Sequence, residues 1–233
     1  MESNIGAGTA TQPETRAGFN RSAAVTRSLL GYGVVVGPFY LAAGVGQALV
    51  RDGFDLARHP LSLLANGPGG WVQTANFVLS GLMVVAAAIG MARVLGRASR
   101  AMPWFLGTFG VSMLAAAVLR ADPVDGFPVG TPLGMPTTIS PMGMGHFIAG
   151  MIGFVSLAIS CFVAARAMSR RNEKTMSRFS LFSGFAIVLG FFGGFIPGVS
   201  LGVAGIWFSV VVGWIWLAVL SLHLYRVSPD PNC

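Results

Sequence analysis

The chain has 233 residues, 54% of them hydrophobic and only 10% charged, against about 25% charged in a typical soluble domain. Its mean hydropathy is +0.70 and its 32 glycines follow no G-X-Y period, so a soluble globular domain and a collagen-like fibre are both excluded. The net charge of +7 does not point to nucleic acid, because the basic residues are spread over the ends of apolar segments, where they meet anionic headgroups.

A bilayer-spanning helix needs about 20 mostly apolar residues. Residues 1–28 are polar, small and mildly basic and read as a flexible cytoplasmic arm; the apolar run after them is too long for a cleaved signal peptide. No Asp, Glu, Lys or Arg lies between Arg27 and Arg51, which places a first span at 29–50, kinked at Pro38. A second span is expected at 71–92 and a third at 101–119. Pro128, Pro132, Pro136 and Pro141 delay the fourth to 145–166. The uncharged stretch from Phe179 to Tyr225 is too long for one helix. The run from Gly193 to Gly198, with Pro197, divides it into spans at 178–196 and 199–224, followed by a tail at 226–233. No segment alternates as a barrel strand would. The fold class is therefore all-α, a polytopic six-transmembrane-helix bundle over 29–225.

Placing both termini in the cytoplasm puts 12 of the 15 basic residues on that side, leaving Arg51, Arg58 and Arg120 outside. That split follows the positive-inside rule and makes the protein a multi-pass protein of the inner cell membrane. Cys161 falls mid-helix and Cys233 ends the chain, a difference in depth that opposes a disulfide.

Small residues recur four apart in Gly33/Gly37, Ala42/Gly46, Ala186/Gly190/Gly194 and Gly205/Ser209/Gly213. These are ridges on which helices pack closely, within one chain or in a homo-oligomer. Trp71, Trp104 and Tyr225 sit where an interfacial belt belongs. Trp214 and Trp216 cannot share a helix face, so at least one is expected to meet lipid.

Polar chemistry concentrates on the outer side. One segment runs from Arg51 through Asp52, Asp55, Arg58 and His59 to Trp71. It leads into a helix face carrying Gln73, Asn76 and Ser80, which turns toward the bundle because buried polar groups need partners. The second runs from Arg120 and Asp122 through Asp125 to His146. It is long and proline-rich, and carries enough apolar residues to lie across the bundle mouth as a cap or binding loop. The ligand-binding candidates are thus Arg58, His59, Trp71, Gln73, Asn76, Ser80, Arg120 and Asp122. Asp55, His59, Asp122 and His146 offer a catalytic or zinc-binding set, although their spacing matches no compact metal motif. The plainer alternative is that the aspartates pair with Arg51, Arg58 and Arg120 and cap turns. His146 and His223 belong to opposite faces of the membrane, which excludes a bis-histidine haem between them.

The elements Phe54-Asp55, Arg58-His59-Pro60, Ser62, Gly67, Gly70-Trp71, Gln73, Asn76-Phe77 and Gly81, with Asp122-Pro123 and Phe127-Pro128, resemble the signature of a family of bacterial and archaeal membrane proteins, the domain of unknown function 998. The resemblance covers about residues 30–225. It implies six helices and a working part at the polar rim, and no particular activity. The leading expectation is a protein that binds or passes a lipid or amphipathic small molecule at its extracytoplasmic mouth, with no cofactor. A metal-dependent hydrolase at the outer interface, using zinc, and a structural or partner-binding subunit are the alternatives.

Overall fold

The computed structural model describes residues 19–96, 99–193 and 202–231. Among the described residues there are six α-helices: α1 (Arg21–Ala48), α2 (Gly70–Leu95), α3 (Ala101–Val118), α4 (Pro141–Arg170), α5 (Lys174–Gly193) and α6 (Gly202–Val227). All six are long and apolar enough to cross a membrane. Each packs on the next, and α6 returns to α1. The result is a closed ring with two distinct ends.

Two boundaries differ from expectation for a physical reason. α1 begins at Arg21, inside the segment expected to be an arm, because the Asn20 side chain accepts from the Ala23 N–H and caps the helix. α4 begins at Pro141 rather than 145, with Ser140 as its cap. Proline is tolerated at the first helical position, where the missing N–H has no intrahelical acceptor. Residues 1–18, the expected break at 194–198 and Cys233 lie outside the described residues, while Cys161 is free and buried.

Small residues set the helix spacings. Gly33 faces the Ser221 side chain and Gly37 faces Trp214, where a Cβ would stand 2.8 Å from that of the indole, so α1 rests on α6. A Cβ at Gly110 would fall 2.9 Å from the Gly81 carbonyl oxygen, so α2 and α3 meet backbone to backbone. On α5 and α6, a Cβ at Gly190 would meet the Gly205 carbonyl oxygen at 2.9 Å. Such contacts matter because lipid tails compete equally for apolar side chains, leaving close packing and internal hydrogen bonds to hold helices together. Ala42 and Gly46 instead lie on the outward face of α1.

Trp214 and Trp216 are both buried, contrary to the expectation that one meets lipid. Trp214 packs between Tyr40 and Phe109, and Trp216 donates its indole N–H to Ser180 Oγ at 3.1 Å. Opposite sides of α6 are covered because that helix is flanked by α1 and α5 and reaches across to Leu157 of α4. Trp71 and Trp104 are 74% and 79% exposed, as belt residues should be.

At one end the start of α1, the segment after α6, the end of α2 and the α4–α5 turn gather. Asn20 N–H donates to the Pro231 carbonyl, Arg27 pairs with Asp230 at 2.8 Å, and Arg93 donates to Thr26 and Ser22. Glu173 joins Arg171 to His223. The opposite end carries the two long connections, 49–69 and 119–140.

The Gly81–Gly110 contact yields a first prediction. Gly110→Leu should force α2 from α3 and cost about 1–3 kcal/mol, read as a lower Tm in detergent. Gly31→Leu, where a Cβ meets nothing within 4 Å, should leave Tm near the parent value.

Candidate functional site

The first long connection folds back into the ring. Its 3-10 helix, Leu61–Ala65, buries Leu61, Leu63, Leu64 and Ala65, and Leu61 fills the space above Gly44 of α1. Arg51 supports it from beneath, donating to the carbonyls of Leu64 and Asn66 while its guanidinium lies 5.2 Å from the Phe127 ring centroid. Partial burial draws the guanidinium below its ordinary pKa.

His59 joins this connection to the second one. It is 1% exposed. Its Nδ1 accepts from the Asp55 N–H at 2.9 Å, so Nε2 carries the proton and donates to the Asp125 carbonyl at 3.0 Å. Phe54 and Phe127 flank the imidazole at 5.3 and 5.7 Å between centroids. Beside it, Arg58 grips Asp125 with two side-chain bonds, 2.9 Å from Nε and 2.6 Å from its terminal nitrogen. Asp125 also accepts from the Gly134 N–H at 2.9 Å. Arg58 and that N–H hold the Asp125 carboxyl below the ordinary carboxylate range, and Asp125 in turn raises the Arg58 guanidinium. Asp125 adopts a left-handed φ of 52°, a conformation that aspartate tolerates better than most side chains. Asn66 Nδ2 donates to the Ala121 carbonyl, and Trp207 of α6 donates to the Leu56 carbonyl. The two connections are therefore one interlocked assembly.

Asp122 fastens the far side of the second connection. Its carboxylate accepts from both the N–H and the hydroxyl of Ser140 and lies against Gly143, where any Cβ would collide with it. It thereby adds negative charge at the α4 N-terminus, where a carboxylate is favoured. His146, within the first turns of α4, donates from Nδ1 to the Leu119 carbonyl at 2.8 Å. That carbonyl stands at the end of α3, where no intrahelical donor remains.

Beneath this assembly lies a cavity of about 550 Å³. Tyr40, Phe109, Leu157 and Trp214 line its deep part, each from a different helix. By helical rise these residues sit roughly 12–24 Å from the loop-rich ends of their helices. Phe77, Phe147, Phe154 and Phe191 supply much of the wall. Ser62, Asp122 and His146 also line it, and among the described residues Asp122 and His146 are its only acidic or basic side chains besides the phenolic Tyr40.

The sequence candidates divide into four sets. Asp122 and His146 reach the cavity. Asp55, Arg58 and His59 belong to the latch between the connections: Asp55 accepts from the Ala57 N–H, and His59 has both ring nitrogens engaged. Gln73, Asn76 and Ser80 turn inward as their spacing requires, but none lines the cavity. They bond to one another and to α1: Gln47 and Asn76 donate to Gln73 Oε1, Ser80 donates to Asn76, and Asn76 donates to the Tyr40 carbonyl at 3.1 Å. Their link to the cavity runs through Tyr40. Trp71 and Arg120 face outward. Among the described residues no three His, Cys, Asp or Glu side chains come together as a metal-binding group.

Sequence reasoning missed the deep wall. Tyr40, Phe109 and Trp214 come from three distant helices, and no spacing marks them as neighbours. Asp125 was visible only as one of several aspartates that could pair with arginine, and the structure makes it the partner of Arg58.

His59→Ala should loosen the latch, removing two hydrogen bonds and the flanking ring contacts, and proteinase K should then cleave within 129–139 faster than in the parent. Because the Asp125 carboxyl titrates below its ordinary value of 3.8, its grip is complete above that value and is released as pH falls through the lowered one. Protection of the Gly134 amide against hydrogen exchange should fall over that acid range in the parent, and that pH-dependent loss should be absent in Asp125→Asn, whose amide oxygen accepts but does not titrate.

No curated protein and no solved structure matches the chain. A family model described as "Protein of unknown function (DUF998)" matches residues 34–223. That span runs from α1 to α6 and takes in the latch and every lining residue of the cavity. This multi-pass membrane protein belongs to the DUF998 family.

Proposed function

We propose that the cavity receives a lipid or amphipathic small molecule, with its tail among the aromatic residues and its head at Ser62, Asp122 and His146. The observation that carries this reading is the cavity's polarity gradient. Its deep wall is mainly aromatic and aliphatic, with the Ser112 hydroxyl there turned to the Phe109 carbonyl, while Asp122, His146 and Ser62 gather where two interlocked connections form the rim. A largely apolar pocket with a few convergent polar groups is the usual form of a small-molecule site. The latch keeps the rim in shape, so the Arg58, His59 and Asp125 contacts serve the site by positioning. The Gln73, Asn76 and Ser80 network serves it by holding the α1 backbone at Tyr40.

Gly150 offers a direct test. It lines the cavity, and a Cβ there meets nothing within 4 Å. Gly150→Phe should fill the space without displacing a helix. Native mass spectrometry of the parent should find a bound amphiphile that Gly150→Phe lacks while keeping its Tm. Equal occupancy in both proteins would overturn the reading.

The charge distribution supports an orientation with both termini in the cytoplasm and the latch outside, in the inner cell membrane. A cysteine replacing exposed Asp52, in a Cys233→Ser background, should react with a membrane-impermeant maleimide on intact spheroplasts, whereas one replacing Arg171 should react only after permeabilisation. The reverse pattern would refute this orientation.

A further inference from the structure

A second site lies outside the ring, at the basic end. From their backbone contact at Gly81 and Gly110, α2 and α3 continue toward the 96–100 turn with a groove of about 580 Å³ between them. Its floor is made of small residues, Ala88, Ala92 and Gly107 among them, and a Cβ at Gly107 would meet nothing within 4 Å. Trp104, 79% exposed, forms one wall. The groove runs from Val111 to Arg100, 11 residues along α3, or roughly 16 Å at the rise of a helix. Half of a hydrocarbon core is about 15 Å. The groove is therefore as long as one leaflet is deep.

Its membrane-surface end carries charge. Arg100 lines the groove there, is exposed, and forms no hydrogen bond or ion pair with any other described residue. The other arginines that the hydrogen bonds place at this end differ: Arg27, Arg93 and Arg171 are engaged with Asp230, Thr26 and Glu173. A guanidinium with no partner among the described residues, at one end of a leaflet-deep apolar groove and close to a belt tryptophan, has the chemistry of a phospholipid seat.

We propose that this groove holds one anionic glycerophospholipid of the leaflet at the basic end, with an acyl chain along Ala88, Ala92 and Gly107 and its phosphate at Arg100. The site is separate from the cavity: α2 and α3 contribute to both, but no residue lines both.

The test is native mass spectrometry of protein exchanged into nanodiscs of equal parts phosphatidylglycerol and phosphatidylcholine. The parent should retain one phosphatidylglycerol per chain in preference to phosphatidylcholine. Arg100→Gln should lower that preference about fivefold, the effect of one surface cation, while Arg21→Gln, an exposed arginine at the same end, should leave it unchanged. Gly107→Leu should remove the retained lipid of either headgroup while keeping the parent Tm, and Gly150→Phe should not affect it. Equal retention of both lipids by the parent, or an unchanged preference in Arg100→Gln, would overturn the proposal. Retention unaltered in Gly107→Leu would overturn its placement in the groove.

Discussion

The structure depends on helices that must pack against one another in a solvent as apolar as their own side chains. Association then rests on how closely backbones approach and on which polar atoms find partners inside the ring. Gly33 and Gly37 admit α6 to α1, Gly81 and Gly110 bring α2 to α3, and Gly190 admits α6 to α5. Serines take part in the same contacts: Ser209 donates to the Ile187 carbonyl, Ser160 to that of Met102, and Ser177 to that of Ala165. Each small residue substitutes backbone contact for side-chain volume.

The two open spaces follow from the same constraint. Where glycine meets a neighbour, the ring is tight; where it meets nothing, as at Gly150 and Gly107, space remains. Gly150 belongs to the interior cavity under the latch, and Gly107 to the outer groove between α2 and α3. One space carries a carboxylate and a histidine at its rim, the other a guanidinium. That difference in charge is what makes two different occupants a reasonable reading of one small protein.

The latch shows how irregular backbone is stabilised at the membrane surface. Buried loop groups must find partners, since an unpaired polar group out of water is costly. Arg51 and Asn66 satisfy carbonyls of the two connections, His59 bridges an N–H of one to a carbonyl of the other, and Asp122 satisfies the start of α4. Residues that read in sequence as a possible reactive cluster are thus largely occupied in building the rim. Asp55 and His59 fall on the latch and Asp122 and His146 at the cavity, because the fold sends the two halves of the set to different supports.

The amino-acid order alone determined the number of spans, their approximate limits and the presence of two polar connections at one end. These properties follow from hydropathy over about 20 residues, proline positions and charge, all of them local. It also determined that Gln73, Asn76 and Ser80 share an inward face, since helical periodicity requires it. Only the tertiary structure decided that this face pairs with α1 instead of lining the cavity, and that Trp214 and Trp216 are both covered. It alone brought Tyr40, Phe109 and Trp214 together and chose Asp125 as the partner of Arg58. The physical reason is that these outcomes depend on the rotation and spacing of whole helices, set by contacts such as Gly37 with Trp214 and Gly143 with Asp122. Those contacts join residues far apart in the chain, and no local pattern encodes which small residue will face which partner.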